Sequence, residues 1–166
     1  MYAKMTPMKK IVTILAGLLL SLSVYAQSAD VITELLETNT ATFGQISYLA
    51  AVQKNLINEN DSYDAAVKAL FDNGLIISQE NPEAPIPLVD IAYIYSKLWN
   101  IEGGLMYRLT KGAPRYVFKQ FQADGIIKAN QEPGDYISGA KALSLYTSCV
   151  NKYSDFNLKT VSMENE

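Results

Sequence analysis

Histidine is absent from this 166-residue chain, and cysteine occurs once, at Cys149. The first absence excludes serine or cysteine hydrolases that rely on a histidine base, and it excludes histidine-ligated metal sites. The second excludes an intramolecular disulfide, whatever the redox state of the compartment. Glycine-rich phosphate loops, metal-ligand clusters and nucleophile elbows are missing as well, so no cofactor is expected. Positive charge is scarce: 14 Lys and Arg stand against 17 Asp and Glu, a formal net charge of −3.

One long apolar run is present, and it lies at the N-terminus. Met8-Lys9-Lys10 forms a positive start, Ile11 to Val24 an apolar stretch, and Val24-Tyr25-Ala26 places small residues at the −3 and −1 positions of a cleavage site. This is the pattern of a secretory signal peptide spanning 1–26, with Met8 as the expected start. The run falls short of the ~20 apolar residues needed to cross a bilayer, so no stable membrane insertion is expected once it is cleaved. Gln27 at the new N-terminus offers no thiol for lipidation. The mature part has 166 − 26 = 140 residues, one ordinary domain, and a charge of 11 − 17 = −6. That balance argues against nucleic acid, and against anionic lipid as a main partner.

The mature sequence matches itself at a shift of 51 residues. Val67 meets Phe118, Leu70 meets Phe121, Gly74 meets Gly125, Leu75-Ile76 meets Ile126-Ile127, Pro82 meets Pro133, Ile86 meets Ile137 and Tyr95 meets Tyr146. Each unit reads as a helix, a glycine stop, a short apolar segment, a proline-containing loop and a second helix. Tyr63, Ala66, Val67, Leu70 and Phe71 share one face of a first helix, and Pro114, Val117, Phe118 and Phe121 belong to its counterpart. Ile91, Ile94, Tyr95, Leu98 and Trp99 form the stripe of one second helix; Ala142, Leu145, Tyr146, Cys149 and Val150 form the other.

Start and stop signals agree with these positions. Asp61 or Ser62, Pro87, Pro114 and Ser138 mark helix starts, and Gly74 and Gly125 mark ends. A degenerate upstream copy pairs a helix over Asp30 to Glu37 with one opened by Thr42-Phe43-Gly44-Gln45, which has capping-box spacing. The expected fold is therefore mainly α: three packed helical hairpins at about 28–57, 62–99 and 113–150 in a domain over 27–150. A frayed polar tail over 151–166 follows. Leu75-Ile76-Ile77 and Ile126-Ile127 are candidates for brief extended pairing, and Asn100 to Lys111 is read as an irregular connection.

Helix, Gly-Ile-Ile-type turn, loop and second helix is the order found in the S-layer homology module, which this chain resembles over most of its mature length. Ala65-Ala66-Val67 to Leu75-Ile76 with Pro85-Ile86, and Val117-Phe118 to Ile126-Ile127 with Tyr136-Ile137, carry the resemblance. It implies three such units. In that family a Thr-Arg-Ala-Glu type motif opens the second helix, and its arginine helps to hold an anionic wall polymer. Here the matching positions read Thr42-Phe43-Gly44-Gln45, Pro87-Leu88-Val89-Asp90 and Ser138-Gly139-Ala140-Lys141. None supplies the arginine, so the resemblance implies the scaffold and leaves the ligand chemistry behind.

Candidate binding residues follow from charge and aromaticity. Arg108, Lys111, Arg115 and Lys119 form a cationic cluster able to grip a carboxylate or phosphate. Tyr93, Tyr107, Tyr136 and Tyr153 fall outside the apolar stripes and are candidates for an exposed aromatic surface. Cys149 lies on an apolar stripe, where a free cysteine packs as a small hydrophobe. The acidic pairs Asp61 with Asp64 and Asp72 with Glu80 are best explained as helix caps and loop solvation. The expected role is that of an exported, non-catalytic binding or structural protein of the cell envelope, in the periplasm or at the cell surface, recognising an envelope polymer or a periplasmic protein. The alternatives are a subunit of a periplasmic assembly and a carboxylate-dependent hydrolase of envelope glycan, the latter needing two carboxyls across a cleft.

Overall fold

The computed structural model describes residues 30–163, with side chains described through 154; the expected signal peptide lies outside the described residues. The fold is mainly helical. Helix α1 occupies 30–37. It is followed by α2 (Phe43–Gln53), α3 (Tyr63–Asp72), α4 (Leu88–Leu98), α5 (Leu105–Leu109), α6 (Pro114–Ala123) and α7 (Gly139–Met163). Among the described residues there are no strands, only two isolated antiparallel bridges, Thr42 with Pro85 and Pro87 with Tyr136.

Local chemistry sets the helix ends. Thr42 accepts the amide of Gln45, and the Gln45 side chain accepts the amide of Thr42, so the capping box that opens α2 is complete. Ser62 caps α3 through the Ala65 amide, and Ser138 Oγ accepts from the Lys141 amide at the start of α7. Pro114 takes the first turn of α6, whereas Pro87 sits one position outside α4 and caps it without a side-chain bond. Gly74 and Gly125 adopt φ of 67° and 76°. At both, the glycine amide and the next one fold back on the last helical turn: Gly74 N–H to Phe71 O (3.0 Å) with Leu75 N–H to Leu70 O (2.9 Å), and Gly125 N–H to Gln122 O (3.1 Å) with Ile126 N–H to Phe121 O (3.0 Å). This is the Schellman arrangement, and it turns Ile76 and Ile127 into the core.

The core lies where the apolar stripes meet. Ile91, Ile94, Tyr95, Leu98 and Trp99 of the α4 segment are buried, as are Ala142, Leu145 and Cys149 of α7. Full burial of an aliphatic side chain stabilises by about 1.5–3 kcal/mol, so these stripes hold the helices together. Tyr95, Trp99 and Tyr146 meet edge to face, with ring centroids 5.1–5.9 Å apart. Tyr95 also donates its hydroxyl to the Ala142 carbonyl at 3.2 Å. The most intimate helix pairings are α2 with α3 and α4 with α6, and each joins helices that the sequence repeat assigns to successive units.

The segments leading into α2, α4 and α7 close a ring of backbone hydrogen bonds. Phe43 N–H donates to Ala84 O (3.0 Å), Leu88 N–H to Asp135 O (2.8 Å) and Gly139 N–H to Thr38 O (3.0 Å). Ala41 joins the other two by donating to Ile137 O (2.8 Å) and accepting from Ile86 N–H (3.0 Å). At Gly139 the chains come so close that a Cβ would collide with the Leu35 carbonyl oxygen.

Four expectations are corrected. Leu75-Ile76-Ile77 and Ile126-Ile127 form no extended pairing: the helix-ending turns take the amides of Leu75, Ile126 and Ile127, and the bridges fall at Thr42, Pro85, Pro87 and Tyr136 instead. Phe71 is 41% exposed, since the buried arc of α3 centres on Ala66, Val67 and Leu70 and leaves the next residue at its rim. The connection Asn100 to Lys111 contains α5. The polar tail continues α7 as helix through Met163. Its first turn is pinned to the end of α6 by Lys152 Nζ to the Asp124 carbonyl (2.6 Å) and Tyr153 OH to Asp124 Oδ2 (2.6 Å).

Candidate partner-binding site

The four predicted cations divide between two hollows. Arg115 and Lys119, four residues apart on one face of α6, line a hollow of about 500 Å³ walled also by Val89, Phe118, Gln122 and Pro133. Its shape follows from two tethers. Gln122 Nε2 reaches the carbonyls of Lys128 (3.3 Å), Ala129 (3.4 Å) and Gln131 (3.1 Å), fixing the loop after α6. The Val89 amide donates to Pro133 O (3.0 Å), bringing the start of α4 to the same loop. Glu132 also lines the hollow. Neither Arg115 nor Lys119 joins an ion pair; the pairs among the described residues are Lys68 with Asp72, Arg108 with Glu102 and Lys152 with Asp124.

Arg108 and Lys111 line a second hollow, of about 440 Å³, with Ile101, Glu102 and Tyr107. Arg108 Nη2 lies 3.3 Å from Glu102 Oε2, and both side chains are largely exposed. Lys111 holds φ of 54° at the end of α5. The half-buried Tyr107 ring packs against Gly103 and Gly112.

The tyrosine candidates do not share one surface. Tyr93 is half-buried, with the Lys97 ammonium 5.1 Å from its ring centroid. Tyr136 is 60% exposed beside Pro87. Tyr153 packs against Phe121, and its hydroxyl is committed to Asp124, which removes it from any exposed surface. Burial, reinforced by that hydrogen bond, holds its proton well above the usual phenol range.

Three of the four carboxyls in the acidic pairs are occupied locally, and the fourth, Asp64, lies in the first turn of α3. Asp61 accepts the Asn58 amide at 2.8 Å, Asp72 pairs with Lys68, and Glu80 accepts from Ser78 Oγ at 2.7 Å. A different carboxyl, Asp90, is raised above its ordinary range, by burial first and then by the charge of Glu80. The hollow it shares with Glu80 and Tyr93 measures about 40 Å³, room for a few waters at about 10–15 Å³ each and too small for a sugar ring. Sequence reading missed this pair because Asp90 lies in the first turn of α4 and Glu80 in the loop before it, ten residues apart. A further hollow of about 430 Å³ gathers Asp30, Glu34, Glu59 and Asp61 beside Tyr48 and Tyr63. Tyr63 donates to Glu34 at 3.1 Å and Tyr48 to the Glu59 carbonyl at 2.6 Å. Among the described residues no three His, Cys, Asp or Glu side chains come together as metal ligands.

Cys149 is buried, and that burial, with Asp124 nearby, pushes its thiol up to about 12. A thiol held protonated is a poor nucleophile, so its role is packing. The hollow beside Arg115 and Lys119 combines two cations that join no ion pair among the described residues with side-chain amides and apolar walls. Compared with protein-family models, curated proteins and solved structures, the chain matches none.

Proposed function

We propose that this chain is an exported, non-catalytic envelope protein whose three helical units, similar in order to S-layer homology modules, form a binding or structural domain. Its expected place is the periplasm or the cell surface, after removal of residues 1–26. The observation that carries the reading is the pair Arg115 and Lys119, free of ion pairs among the described residues at the edge of a hollow of about 500 Å³. A guanidinium and an ammonium suit a carboxylate or phosphate group. Phe118, Val89 and Pro133 supply apolar contact for the carbon face of a saccharide or side chain, and Gln131 supplies amide hydrogen bonding at the rim. An anionic envelope polymer or an acidic segment of an envelope protein has this chemistry.

The reading is tested by cosedimentation of the exported protein with isolated envelope polymer, wild type against an Arg115→Ala, Lys119→Ala double variant. Saturable binding weakened at least about tenfold in the variant is expected, the loss of two charge-assisted contacts. Binding that is absent, or equal in the two proteins, rejects the polymer at this hollow.

A further inference from the structure

The net negative charge conceals a strongly uneven distribution. From Gly103 to Ala123 the chain contains Arg108, Lys111, Arg115 and Lys119 and no Asp or Glu, while all 17 acids lie elsewhere. Within that segment α5 contributes no buried residue. Leu105 and Leu109, one turn apart and so on one face, are 79% and 75% exposed, and Met106 is 54% exposed. Exposed large apolar side chains are grouped here, next to the cations of the same segment.

We propose that α5 is a peripheral membrane-docking element that seats this domain on a bilayer surface containing anionic lipid. Leu105, Met106 and Leu109 enter the boundary between headgroups and acyl chains, and Lys111, with Arg108 exchanging its exposed partner Glu102, meets lipid phosphates at the adjoining hollow. Both components are those of interfacial helices, in which apolar burial and attraction to anionic lipid act together. The acidic bulk of the chain supplies orientation, since it is repelled while the cationic segment is attracted. Shape favours lipid over a protein partner. A stable protein interface buries about 800 Å² per partner with a complementary surface, whereas α5 is five residues long and a fluid bilayer needs no matching shape. The Gln120 side chain, accepting the Gly104 amide at 3.0 Å, fastens the start of α5 to α6, so the element is presented in a fixed pose.

The test is flotation of the exported protein with vesicles of pure phosphatidylcholine and of phosphatidylcholine with one third phosphatidylglycerol. Wild type is compared with Leu105→Asp, Leu109→Asp and with Arg108→Gln, Lys111→Gln, each checked for native helix content by circular dichroism. The proposal expects wild type to float with the anionic vesicles, at least about tenfold less binding in each double variant, and loss of binding in high salt. Any part played by an uncleaved N-terminal segment would be common to all three proteins and is removed by the comparison. Equal flotation of the three proteins, or none, overturns the proposal. Sedimentation velocity without lipid provides the other arm: self-association abolished by Leu105→Asp, Leu109→Asp would assign the patch to a second copy and overturn the membrane reading.

Discussion

Helices α4 and α5 are both rich in large apolar side chains, yet they end in opposite environments. In α4, Leu88, Ile91, Ala92, Ile94, Tyr95, Ser96 and Leu98 are buried; in α5, Leu-Met-Tyr-Arg-Leu, nothing is. The difference arises from length and neighbours. Eleven residues make three turns with a stripe that other helices can cover, and α4 touches α2, α6 and α7. Five residues make little more than one turn, whose substantial helix contact among the described residues is with α6. Apolar composition thus indicates a need for burial, and the packing decides whether the fold meets it. Where it does not, the exposed residues become available to something else.

The largest effect expected from that contrast is on stability. Ile91→Ala should destabilise by about 3 kcal/mol, within the range for emptying a buried aliphatic site, whereas Leu109→Ala should stay within about 0.5 kcal/mol. Urea denaturation of both variants checks this, and equal losses would mean that α5 is packed in solution. Next comes Gly139→Ala, which introduces a methyl group against the Leu35 carbonyl and should cost about 1–3 kcal/mol, as overpacking does. A midpoint unchanged by this methyl would show that the junction has room to relax.

The smallest effect is a slope with pH and concerns the buried side alone. The Cys149 thiol ionises near 8.5 in an unfolded chain but is pushed up to about 12 in the fold. Because the folded value is the higher one, the stabilisation is fully present below about pH 8.5 and is lost as pH rises toward 12. The rate is roughly 1.4 kcal/mol per pH unit for each proton held only by the native state. Burial shifts Tyr95, Tyr63 and Tyr153 the same way, which steepens the decline above pH 10. A urea midpoint that falls between pH 9 and 10 in wild type, and falls less in Cys149→Ala, is the expected result; a midpoint independent of pH over that range contradicts it.

Features set by neighbours in sequence were legible beforehand. The capping box at Thr42, the caps at Ser62 and Ser138, Pro114 in a first turn and the left-handed Gly74 and Gly125 all stand where the local pattern put them, as does the buried stripe through Tyr95 and Cys149. The features set by distant contacts were not. Nothing in the spacing shows that α2 packs on α3 more closely than on α4, or that Asp124 holds Tyr153 and Lys152 and so prolongs α7. The site was half visible. Arg115 and Lys119 announce themselves as two cations one turn apart, but the Val89 and Pro133 walls come from other parts of the chain, and the carbonyls that Gln122 tethers lie in the loop beyond their helix.

The hydrogen-bonded ring has a bearing on the order of folding. Residues 38–41 find their partners at Ile137 and Gly139, so a chain released from the ribosome N-terminus first must wait for its last helix before the ring can shut. Contacts this far apart in sequence carry a large loop-closure entropy and slow the search for the native state. Once formed, they make the two ends mutually dependent: detaching α7 also frees the residues that open α2, and the domain loses structure as one cooperative unit.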